Sequence, residues 1–88
     1  MKHVLKWELN PDFESNSLML PYSAEILSVQ TQGNTPVLYT MSTVDDTNGT
    51  LNFSIRRVPT GGEAIYLESA DYIGTTIMPN GLVWHWFH

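Results

Sequence analysis

The chain has 88 residues, no cysteine, 42% hydrophobic residues and a formal net charge of −5. This composition excludes a disordered chain, a disulfide-stapled domain and a thiolate metal site, and the acidic balance opposes general binding to a nucleic-acid backbone. No stretch approaches the roughly 20 apolar residues that a membrane-spanning helix needs. We therefore expect one globular domain over residues 1–88, not bound to a membrane, in a reducing cytoplasm.

The first elements along the chain are two short strands. Alternating apolar residues over positions 4–9 predict a strand that ends at Asn10-Pro11, and residues 18–20 predict a second strand that Pro21 stops.

Three longer apolar runs follow, over residues 24–32, 36–44 and 50–58. Gly33-Asn34 and Asn48-Gly49 lie between them and are typical of hairpin turns, so the three runs are expected to form an antiparallel meander. In the first run, the broken alternation over residues 26–29 predicts a bulge or a strand covered on both faces.

The last part of the chain predicts a further hairpin. Residues 72–78 and 82–87 flank the turn at Asn80-Gly81, whereas residues 63–71 fit either a helical turn or a short strand. The fold class is thus all-β or nearly so: a small antiparallel meander of six to seven strands, curled or partly closed, with at most one short helix.

The closing strand is rich in aromatic residues. Trp84 and Trp86 are expected on one face and His85 and Phe87 on the other, so His85 and His88 cannot ligate one metal ion from a regular strand. We predict no metal site and no cofactor. An aromatic face of this kind is either part of the core or a contact surface, and it favours a homo-oligomer.

A second candidate site lies at the end of the third long run. Two arginines precede a turn that contains glycine and a hydroxyl group, which is an arrangement able to hold phosphate or carboxylate. The residues are Arg56, Arg57, Thr60, Gly61 and Gly62. The alternative is that the arginines lie on opposite strand faces, one solvated and one paired with Asp45 or Asp46.

Several segments together resemble a family of small proteins of unknown function from tailed phages and some bacteria. They are Lys2, Lys6 and Trp7 in the first strand, Leu20-Pro21, residues 24–30, residues 72–75, and residues 82–85. The resemblance implies no reaction, but it implies a small acidic phage protein that acts in the host cytoplasm.

No nucleophile or carboxylate pair stands in a recognisable catalytic motif, so we expect no enzyme. Our first hypothesis is a phage accessory protein that binds and blocks a host protein, as an anti-defence inhibitor does. The alternatives are an oligomeric sponge for a small phosphate-containing signalling molecule and a structural or assembly protein. In the sponge, Arg56, Arg57 and the turn at residues 60–62 would hold phosphate and Trp84 or Trp86 would stack on a base, so the arginines and a tryptophan should converge. His85 is a further candidate for ligand or partner binding.

Overall fold

The computed structural model describes residues 1–43, 47–63 and 69–88. These residues form seven strands and no helix: β1 (Lys2–Glu8), β2 (Ser15–Pro21), β3 (Glu25–Gln32), β4 (Thr35–Thr43), β5 (Thr50–Pro59), β6 (Tyr72–Ile77) and β7 (Val83–Phe87). The predicted all-β antiparallel fold class is confirmed. Most of the ambiguous segment, residues 64–68, lies outside the described residues. Within the described part of the chain, no helix has the length and apolarity to cross a bilayer.

The strands form two sheets, ordered β1-β4-β3 and β2-β5-β7-β6, and every neighbouring pair is antiparallel. Neither order closes on itself. The expected pairing of β4 with β5 is wrong, because β1 and β3 occupy both edges of β4. Gly49 has the positive φ that was expected, +88°, yet the chain passes there from one sheet to the other.

The other two predicted hairpins are confirmed. Gly33 has a φ of +62° between β3 and β4, and Gly81 has a φ of +86° between β6 and β7. The Gly81 amide donates to the Met78 carbonyl at 2.8 Å. The irregularity of β3 is a bulge, since its register against β4 shifts between Ile26 and Ser28.

The core lies between the sheets, and both contribute apolar side chains to it: Leu9, Leu20, Val29, Leu38, Ile55, Ile73 and Trp86. The indole N–H groups of two tryptophans in or beside the core need hydrogen-bond acceptors, because a buried N–H donor is costly when it is unpaired. The Trp86 N–H donates to the Thr76 hydroxyl and the Trp7 N–H to the Thr40 hydroxyl, both at 2.9 Å. The threonines therefore allow tryptophan to fill the interior without an unpaired donor.

The two sheets come into close contact at Gly74 in β6. Its φ is +153°, and a Cβ at this position would lie 2.2 Å from the carbonyl oxygen of Val29 in β3. Because real Cβ atoms essentially never come this close to another heavy atom, only glycine fits between the strands here.

Two contacts cross the outer face of the first sheet. Lys2 forms an ion pair with Glu25 at 3.0 Å, and the Lys6 ammonium donates to the Gln32 side chain at 3.2 Å. Both contacts join β1 to β3 across the central strand β4.

Candidate functional site

The register of β5 and β7 divides the predicted site residues between two faces of the second sheet. Arg57 is opposite Trp86, and Pro59 is opposite Trp84, so Arg57 and both tryptophans share the face that looks toward the core. Arg56 and His85 lie on the outer face, opposite Phe87 and Val58. The two arginines are thus on opposite faces, as the alternation of the strand predicts.

Trp86 lies in the core. It is 0% exposed and its N–H is already paired with Thr76. It supports the sheet around the site and does not present a surface to a ligand.

The turn at the end of β5 uses its polar groups within the fold. The Gly62 amide donates to the Pro59 carbonyl at 2.8 Å, and Gly61 adopts a φ of +82° to make the turn. The Thr60 hydroxyl lies 2.8 Å from Nε2 of His85, whose Nδ1 lies 3.1 Å from the Thr75 hydroxyl. The Thr60 amide also donates to the Val83 carbonyl, at 3.4 Å. The expected anion cradle at residues 60–62 therefore has its hydroxyl and two of its amides already engaged.

Arg57 and Trp84 do converge. The guanidinium carbon of Arg57 lies 3.8 Å from the centroid of a Trp84 ring, which is a stacked cation–π contact. Beside this pair is a cleft of about 420 Å³, which the two residues line together with Pro11, Asp12, Met78, Pro79, Asn80 and Leu82. Its volume lies within the range of about 300–1,000 Å³ that is usual for small-molecule sites.

The hydrogen bonding of the Arg57 guanidinium is incomplete. One Nη donates to the Asp12 carbonyl at 3.3 Å, whereas the buried Nε has no partner among the described residues. A buried donor without an acceptor costs about 1–3 kcal/mol. Asp45 and Asp46, the expected carboxylate partners, lie outside the described residues.

One wall of the cleft depends on a residue that the sequence did not single out. The buried Asn16 side chain accepts from the Asn10 amide at 2.8 Å and donates to the Asn10 carbonyl at 3.0 Å. The Asn10 side chain in turn accepts from the Asp12 amide at 2.9 Å. These bonds fix the turn that carries Pro11 and Asp12. In the sequence Asn16 reads as one polar residue in a polar run, so no pattern marks it.

The opposite wall is the turn of the β6–β7 hairpin. The Leu82 amide donates to the Asn80 side chain at 3.0 Å, and the Met78 amide donates to the Leu82 carbonyl at 2.8 Å. Both walls are thus tight hydrogen-bonded turns, and Arg57 is held between them. A cleft of this kind is preorganised, which reduces the entropy lost when a ligand binds.

These features define a small two-sheet antiparallel β protein with a cleft that Arg57 and Trp84 line. The chain belongs to the family described as "Domain of unknown function (DUF7352)", whose match covers residues 1–88. The predicted membership of a small family of unknown function is confirmed. No curated protein matches the chain. No solved structure matches it either.

Proposed function

We propose that this protein is a non-enzymatic phage accessory protein that binds a small phosphate-containing molecule of the host cytoplasm in the Arg57–Trp84 cleft. The observation that carries the proposal is the Arg57 guanidinium, which stacks on Trp84 and lines the cleft together with it. A sequestering protein was expected to bring both arginines to a tryptophan; Arg57 meets Trp84, whereas Arg56 lies on the opposite face. The cleft lies within one chain, so binding there does not require a second subunit.

The chemistry of the cleft favours an acidic ligand that also carries a flat or apolar group. A guanidinium donates to phosphate through two parallel N–H groups, and Arg57 is already oriented by Trp84. Met78, Leu82 and two prolines give the cleft an apolar lining for the rest of the ligand.

Asp12 narrows the ligand class further. A lone dianion would be repelled by the Asp12 carboxylate, whereas a ligand with N–H donors as well as phosphate suits Asp12 and Arg57 together. Nucleotides combine phosphate, a flat ring and N–H donors. We therefore take a nucleotide-like molecule as the ligand class.

Native mass spectrometry of protein recovered from phage-infected cells tests this proposal. The wild type should retain a small molecule, and Arg57→Gln should lose it because the guanidinium is the anion ligand. Arg56→Gln is the matched control: it makes the same chemical change one residue away, on the opposite face. Bare wild-type protein, or equal retention by both variants, would contradict the proposal.

A second candidate function is the blocking of a host protein by the outer face of the second sheet. Tyr72 is 59% exposed there and stacks edge-on against Phe87, with ring centroids 5.8 Å apart, and the exposed Arg56 lies opposite Phe87. Tyrosine and arginine dominate binding energy at protein interfaces. In the same spectra, this function predicts a retained host protein that is lost from Arg56→Gln and kept by Arg57→Gln.

A further inference from the structure

The outer edge of β1 is open. β1 pairs with β4 on one side, and no described residue pairs with it on the other. Two apolar side chains on this strand face water, with Val4 60% and Leu5 40% exposed. A shallow depression of about 400 Å³ lies here, lined by Val4, Leu5, Lys6 and Tyr39. A seven-residue edge strand with exposed apolar residues is a template for pairing with another strand.

We propose that β1 pairs antiparallel with β1 of a second copy of this chain, about a two-fold axis that passes beside Leu5. In such a pair, opposite residues share a face of the sheet. A two-fold axis perpendicular to the sheet leaves every side chain on the face that it already occupies. Opposed residues must therefore be an even number of positions apart in β1, which means that one residue at the axis pairs with itself. The possible registers of β1 are therefore few.

Charge selects one of these registers. With Leu5 opposite itself, Lys2 lies opposite Glu8 of the second copy at both ends of the pair, and no two like charges are opposed. If the axis passes beside Val4 instead, Lys2 of each copy lies opposite Lys6 of the other. If it passes beside Lys6, the two Lys6 residues lie opposite each other. Opposed like charges destabilise a strand pair and opposite charges stabilise it.

The remaining registers are too short. Centring on His3 pairs only residues 2–4 within β1, and centring on Trp7 pairs only residues 6–8. The Leu5 register is the one that uses the full strand.

Apolar burial favours the same register. Leu5 lies opposite Thr40, which is fully buried, so it sits on the core-facing side of the first sheet at its edge. The two Leu5 side chains would contact each other there and lose their exposure to water. On the other face, Val4 would contact the aliphatic part of Lys6 from the second copy. The two three-stranded sheets become one six-stranded sheet (3 + 3).

Charge-swap variants test the register in the full chain by sedimentation velocity over a range of concentrations. Glu8→Lys places a lysine opposite Lys2 twice, and Lys2→Glu places a glutamate opposite Glu8 twice. Each variant alone should raise the dimer dissociation constant about tenfold or more, because two ion pairs become repulsions. An equimolar mixture should recover the dimer, since both pairs are then opposite in sign.

Glu63→Lys is the matched control, because it makes the same charge change at an exposed residue outside β1. It should leave the dissociation constant near that of the wild type. A wild type that stays monomeric throughout, or a mixture no more dimeric than its components, would overturn the proposal.

Cross-linking gives an independent test of the same register. The chain has no cysteine, so Leu5→Cys introduces a single thiol, which the two-fold axis places next to its copy. Opposite Cβ atoms are about 4.5–5.5 Å apart, close to disulfide distance. Under mild oxidation Leu5→Cys should cross-link at least about tenfold faster than Val4→Cys, whose thiol faces Lys6 of the second copy. Equal rates would refute the register.

Discussion

Replacing Gly74 by alanine tests how the two sheets are held together. The added Cβ would lie 2.2 Å from the Val29 carbonyl oxygen, so β6 and β3 must separate by close to 1 Å to relieve the contact. Overpacking of this kind costs about 1–3 kcal/mol. The φ of +153° adds a backbone cost of about 1–3 kcal/mol for a residue with a side chain. We expect Gly74→Ala to lower the free energy of unfolding by about 2–6 kcal/mol.

This loss is large against the whole stability of the domain, which is about 4–13 kcal/mol for a chain of 88 residues. Urea unfolding followed by tryptophan fluorescence measures it. Gly81→Ala is the matched control, because Gly81 also has a positive φ, +86°, but nothing lies within 4 Å of its added Cβ. Gly81→Ala should lower the free energy of unfolding by the backbone cost alone. Equal losses for the two variants would refute the argument that the close approach at Gly74 sets the spacing of the sheets.

Three further substitutions test the interior and the cleft wall. Trp86→Phe should lower the free energy of unfolding by about 2–4 kcal/mol in urea unfolding followed by circular dichroism, because it leaves a cavity and removes the bond to Thr76. Thr76→Val should lower it by about 1–3 kcal/mol in the same assay, since it leaves the Trp86 N–H unpaired; an unchanged stability would show that this bond is unimportant. Asn16→Ala should cost about 1–3 kcal/mol and weaken nucleotide binding measured by calorimetry, because the turn at Asn10 loses both of its anchors; unchanged affinity would mean that this wall does not shape the site.

The turns show how far sequence alone predicts this fold. Gly33-Asn34, Asn48-Gly49 and Asn80-Gly81 have the same chemistry, and all three supply a glycine with positive φ. Two of them join paired strands, but the chain at Asn48-Gly49 changes sheets. An asparagine–glycine pair predicts a turn in the backbone. Whether the strands before and after that turn pair with each other depends on which sheet edges the other strands leave free. That information is not local.

The site was predictable in part, for a related reason. Strand alternation correctly separates Arg56 from Arg57, and the aromatic closing strand supplies Trp84. The contact between Arg57 and Trp84 depends on the pairing register of β5 with β7, whose residues are about 27 positions apart in the chain. The role of Asn16 was not predictable from the sequence, because its side chain bonds to the backbone of a turn. Any polar residue near a turn can form such bonds, so no sequence pattern marks this one.

The proposal that Arg57 and Trp84 form the ligand site is tested most directly by a ¹⁵N chemical-shift titration of the protein with nucleoside monophosphates. The Arg57 Nε–H and Trp84 Nε1–H signals should shift together and saturate, because both side chains line the cleft that the ligand fills. The Arg56 Nε–H signal, on the opposite face, should stay in place. Shifts confined to the outer face, with the Arg57 and Trp84 signals unchanged at millimolar nucleotide, would contradict the account.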